Sequence, residues 1–165
     1  MKRFWLRVGS AGLLFVFWSV FAGEKVRWDT DVRSAMKQAA KENRWLVIEF
    51  TGLDWCAPCM ALRDNALKTP EFEAFAKGHL VLVELDFPKR RPQSPGQQAH
   101  NATYQRRFNV DGFPTLLVLR PDGSEAARWV GYRGQTGASL VEDIKALQMP
   151  TTASPPTAQP PLAAK

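Results

Sequence analysis

Cysteine and histidine are scarce in this chain: two of each among 165 residues. That scarcity narrows the chemistry. A structural zinc site takes four ligands, and one C-x-x-C without a second pair does not supply them. His79 and His100 are not at ligand spacing, so no metal or other cofactor is expected. Haem attachment through C-x-x-C-H is excluded, because Met60 stands where the histidine would be. Long apolar runs are also missing. The longest, Val8–Ala22, has 15 residues, and a membrane span needs about 20. Acidic residues are fewer than basic ones, 16 against 22, giving a formal charge of +6. A basic balance can signal nucleic acid or a membrane surface. Here part of the excess is local, because Lys2, Arg3 and Arg7 precede the apolar run.

That N-terminus reads as a secretory signal peptide over residues 1–22, with a basic start and an apolar middle. Val20 and Ala22 fit the −3 and −1 positions of a cut after Ala22. An uncleaved membrane anchor is the alternative. No cysteine lies near the cut, so a lipid-modified N-terminal cysteine is excluded. Removing residues 1–22, with three bases and no acid, lowers the charge from +6 to +3. No nucleic-acid partner is expected. Residues 150–165, "PTTASPPTAQPPLAAK", have almost nothing to bury and read as a disordered Pro/Thr/Ala-rich tail. The folded domain is then 23–149.

Within it, the apolar periodicities alternate. Val32, Ala35, Met36, Ala39 and Ala40 have helical spacing, with Asp29 or Thr30 as cap. "WLVIEF", 45–50, and "HLVLVELDF", 79–87, read as buried strands. Helices are predicted from Cys56 to about Leu67, over 70–77 with Pro70 at the start, and over about 97–108. "PKRRPQSPGQ", 88–97, is a polar loop, and its Lys89, Arg90 and Arg91 read as a solvated cluster. "TLLVLR" and "EAARWVGY", joined by "PDGS", predict a hairpin. Leu140, Ile144 and Leu147 mark a last helix, with Ser139 and Glu142 spaced as a capping box. There is no internal repeat. This order predicts an α/β fold: a central mixed sheet, an antiparallel C-terminal hairpin, and helices on both faces.

Both cysteines fall in one stretch, "TGLDWCAPCM", between a strand and a helix. In α/β sheets the ends of parallel strands carry the functional groups. Cys56 would sit at a helix N-terminus, where unpaired N–H groups and the dipole favour a thiolate. Cys59, one turn on, could resolve a mixed disulfide formed at Cys56. Pro58 suits the first turn, where its missing N–H is harmless, and Trp55 would give the thiol apolar cover. The bland alternative is an inert structural disulfide. So short a loop, however, removes little unfolded-state entropy.

"WCAPC", with "LVLVELDFP" and "GFPT" further on, resembles the thioredoxin superfamily over nearly all of 24–149. The likeness is greatest to secreted thioredoxin-like proteins. It extends to the C-terminal domain of the membrane thiol reductase that supplies electrons to the bacterial periplasm. The resemblance implies that Pro114 is a cis-proline beside the cysteines and that Phe113 offers its backbone to a substrate strand. It also implies a buried acid assisting proton transfer at Cys59, for which Glu49 is the candidate. Two departures stand out. Glu49 is longer than the usual Asp and one residue further from the motif, and "LVLVELD" lacks the family's lysine. Asn101, in "NAT", fits a glycosylation acceptor, but the bacterial likeness gives that motif little weight.

The expected function is an extracytoplasmic thiol–disulfide oxidoreductase, periplasmic or secreted, that reduces protein disulfides through Cys56 and Cys59. A membrane thiol reductase would be its electron donor. The alternatives are a disulfide oxidase or isomerase, and a non-catalytic adaptor that binds partners through the Pro114 face.

Overall fold

The computed structural model describes residues 26–148. The expected signal peptide and C-terminal tail lie outside them. Five strands, β1 (Trp28–Asp29), β2 (Trp45–Thr51), β3 (Leu80–Asp86), β4 (Thr115–Leu119) and β5 (Glu125–Val130), form one sheet. Its order is β1-β3-β2-β4-β5. β1, β3 and β2 run parallel, while β4 is antiparallel to both β2 and β5. The mixed sheet with its C-terminal hairpin is thus as the sequence predicts. The two-residue β1 was not predicted, since so short a segment shows no periodicity.

The strands alternate their side chains between two helical layers. Leu46, Ile48 and Phe50 of β2 pack with Val81, Val83 and Leu85 of β3 against Val32, Ala35 and Ala39. Those three belong to α1 (Val32–Glu42), and Tyr104 of α4 (Pro95–Arg107) joins them. On the other face Val47 and Leu82 meet Leu62, Phe72, Leu140 and Ile144. These come from α2 (Ala57–Leu62), α3 (Pro70–His79) and α5 (Gly137–Gln148). Each fully buried Val, Leu, Ile or Phe among these contributes about 1.5–3 kcal/mol.

Several boundaries differ from expectation for local reasons. The N-cap of α1 is Asp31, which accepts from the Arg33 and Ser34 N–H groups; Asp29 instead accepts from Thr30 and Asp31. The helix after the cysteines is interrupted: α2 passes into a π-helical turn at Arg63–Leu67. α4 begins earlier than predicted, because Ser94 caps it and Pro95 takes its first turn. At α5 the reciprocal pair is Thr136 with Ser139, each side chain accepting the other's backbone N–H, so the Ser139–Glu142 box is not formed. His79 ends α3 rather than opening a strand, with Nδ1 2.9 Å from the Phe75 carbonyl. His100 lies in α4, and its Nε2 accepts the Val32 N–H at 3.3 Å.

Candidate active site

β2 ends at Thr51, and the chain turns before entering α2. Cys56 N–H donates to the Gly52 carbonyl at 2.8 Å. Gly52 is required here by close approach: a Cβ would lie 2.5 Å from Trp55 Cε2. Cys56 is the N-cap of α2, and its Sγ accepts the Cys59 N–H at 3.3 Å. The helix end therefore directs a donor at that sulfur, as a thiolate requires. Pro58 lies in the first turn. Cys56 and Cys59 are disulfide-bonded, with Cα atoms 5.3 Å apart. Cys56 keeps 5% exposure and Cys59 none, so attack from outside can reach only Cys56.

Aromatic rings border the pair. Trp55 Nε1 donates to the Phe87 carbonyl at 2.8 Å, which fixes the indole. Phe113 meets Trp55 edge-on at 6.1 Å and stacks on Phe87 at 4.8 Å. The Phe113–Pro114 peptide is cis. Pro114 is buried, and its carbonyl accepts the Gly131 N–H at 2.8 Å.

Glu49 lies mid-strand in β2, between Glu84 of β3 and Leu116 of β4. It shares the face of Val47, toward the layer containing α2. Only 1% is exposed, and its Oε1 has no hydrogen-bond partner among the described residues. Burial pushes its carboxyl up and the neighbouring Glu84 adds to this, while Arg63 and the Thr51 hydroxyl oppose it; the pKa stands at about 8. Arg63 lies 3.4 Å from Glu84, whose own carboxyl is raised, chiefly by burial. A cation supplied by the helical turn after Cys59 thus tempers the buried acids, where β3 carries no lysine.

Sequence reasoning missed the polar frame behind the motif. Asp86, at the end of β3, accepts the Leu53 N–H at 2.9 Å and binds Arg91 at 2.6 Å. Asp54 accepts the N–H groups of Lys89, Arg90 and Arg91 at 3.0, 2.7 and 2.9 Å. Desolvation raises its carboxyl, but these three bonds and Arg91 outweigh that and hold it below the usual range. Asn101 is buried, donating to the Asp86 carbonyl and accepting from Gln97, so its side chain is structural and unavailable as a glycan acceptor. A polar residue beside a motif was the only signal for Asp54. Nothing in one dimension pairs it with 89–91.

A parallel–antiparallel sheet, a disulfide at a helix cap and a cis-proline loop define a thioredoxin-like site. The sequence matches the family described as "Thioredoxin-like domain" over residues 32–139. It is 32% identical over 124 residues to "Disulfide bond reductase DsbH" of Chlamydia pneumoniae, covering 75% of this chain and 74% of that protein. A solved "DsbH Oxidoreductase" superposes with a TM-score of 0.71 at 29% identity, over 83% of this chain and 94% of its own. The C-terminal domain of Neisseria meningitidis DsbD in the oxidised form shares the fold, with a TM-score of 0.53 at 21% identity, over 73% of this chain and 98% of its own. The chain belongs to the thioredoxin-like family and, with its Cys56–Cys59 pair, is a thiol–disulfide oxidoreductase.

Proposed function

We propose that the protein works outside the cytoplasm as a disulfide reductant. Residues 1–22 serve as a signal peptide, 23–149 as the working domain and 150–165 as a tail. In the dithiol form the Cys56 thiolate attacks one sulfur of a substrate disulfide. A mixed disulfide forms, and the substrate's other sulfur leaves as a thiolate. The Cys59 thiolate then attacks Cys56 Sγ and releases the second substrate thiol. Two electrons have passed to the substrate, and Cys56–Cys59 is oxidised. A membrane dithiol reductase returns the electrons. Trp55, Phe113 and Pro114 form the substrate-contact edge.

Glu49 accepts the Cys59 proton in this scheme. Burial raises the Glu49 carboxyl to about 8, so near neutral pH it is the ionised minority of Glu49 that takes the proton.

The observation that carries the reductant reading is the neutral dipeptide at the helix cap. Ala57 and Pro58 bring no charge beside Cys56, whereas a strong oxidant needs extra thiolate stabilisation. Thioredoxin lies at about −270 mV and a strong periplasmic oxidant at about −120 mV. Equilibration with glutathione buffers should leave the pair mostly oxidised at a poise near −180 mV. A pair still mostly reduced there overturns the reductant reading in favour of an oxidase. The adaptor alternative is tested by Cys59→Ser, which should accumulate mixed disulfides through Cys56; an adaptor accumulates none.

A further inference from the structure

Three consecutive cations, Lys89, Arg90 and Arg91, are exposed beside the disulfide. Their backbone is not free. The Asp54 carboxylate, two residues before Cys56, holds the N–H of all three. Lys89 Nζ rests 3.6 Å from the centre of the Trp55 ring, a cation–π contact. Arg91 is bound back to Asp86. The rim is therefore sorted by charge. The carboxylates of Asp54 and Asp86 are only 10% and 14% exposed and turn inward to N–H groups and Arg91. Asp111, the acid preceding Phe113 in sequence, lies in the field of Arg128. Among the described residues, Lys89 and Arg90 make no ion pair. They face solvent on a loop tied to Asp54 and Trp55, the two residues before Cys56.

We propose that loop 88–93 is a docking rim that selects protein substrates with acidic residues flanking their disulfide. This deepens the oxidoreductase reading and rests on it. Charges of one sign fixed at a site mouth steer opposite charges and raise encounter rates about tenfold or more, an effect that salt removes. The Asp54 clamp makes the rim useful for selection, because a loop already ordered loses little entropy when an acidic segment settles on it. It also explains how a polar loop can sit beside a reactive thiol without screening it.

The test uses the full-length protein, reduced with dithiothreitol and then freed of it. Two disulfide-bridged peptides differ only in flanking residues, two Asp in one and two Lys in the other. At low salt the acidic peptide should be reduced about tenfold faster. The ratio should approach one in 0.5 M NaCl and in the double variant K89Q/R90Q. Equal rates in the wild type, or a ratio that survives the double variant, overturn the proposal. The uncharged hydroxyethyl disulfide separates the two readings: if wild type fails to reduce it, the oxidoreductase reading fails. Docking is read independently with the acidic peptide closed by a lactam in place of the disulfide. It should shift the Lys89–Arg91 amides and the Trp55 indole N–H in NMR spectra, reversibly with salt. No shift overturns the docking rim whatever the kinetics.

Discussion

The two faces of the sheet treat their buried polar groups differently. On the α1–α4 side, Asn101 is 1% exposed and its hydrogen bonds are made, to the Asp86 carbonyl at 2.7 Å and from Gln97 at 2.7 Å. On the α2 side, Glu49 is equally buried, yet its Oε1 has no partner among the described residues. A satisfied buried amide adds rigidity. An unsatisfied buried carboxyl is expensive unless it stays protonated. The first face is built for stability. The second tolerates instability on the side of α2, the helix that carries Cys59, where a group able to hold or give a proton is useful.

The largest way to break this contrast is at Glu49. Its folded-state pKa of about 8 lies above the ordinary 4.5. Below pH 4.5 both folded and unfolded chains hold the proton. As pH rises to about 8, the unfolded chain releases it and the folded one does not, so stability falls through that window and then levels off. The expected loss is on the order of 5 kcal/mol. Glu49→Gln should flatten the slope, as read by denaturant melts between pH 4.5 and 8.5. It should also slow resolution of mixed disulfides by about 10²-fold. An unchanged slope would mean that Glu49 titrates normally and that both faces are merely structural.

Asn101→Ala probes the other face. It removes two hydrogen bonds, although Gln97 keeps the Thr30 carbonyl and the Asp86 carbonyl keeps Gln93, and should destabilise the fold by about 1–3 kcal/mol. That loss should be independent of pH, and the Cys56–Cys59 potential should not move. A potential that shifts with Asn101 would couple the faces and erase the distinction.

Much of this architecture is legible in one dimension. β2 and β3 announce themselves as β-branched runs, and "WCAPC" after the first places the dithiol at a strand end. Local rules fix such features, because a strand's burial and a helix cap depend on neighbours a few residues away. The features missed depend on long-range pairing. β1 is recognisable only by its ladder to β3. Arg63 tempers the buried acids only because a helical turn brings it over Glu84. Asn101, in a polar α4 with no apolar stripe, is buried because the end of β3 lies beneath it. The loop 88–97 reads as solvated, and its side chains are, but its backbone is fixed by an acid 35 residues earlier.

The smallest expected effect is at that acid and sharpens the contrast by adding a third kind of polar group: one that is neither core nor catalytic. Asp54 spends its carboxylate on three consecutive N–H groups. Asp54→Ala removes three acceptors at once but opens no core cavity, since the freed N–H groups lie where water can reach them. The denaturation midpoint should therefore stay closer to wild type than that of Asn101→Ala. The change should instead be local. Hydrogen exchange at Lys89, Arg90 and Arg91 should accelerate on the order of tenfold, while β2 and β3 keep their protection. Released from Asp54, Lys89 should lose its position over Trp55, so the indole N–H resonance should move as well. If exchange at 89–91 is unaltered, Asp86 and Arg91 are enough to fix the loop. Asp54 is then a passenger, and the order of the rim has to be traced to the end of β3.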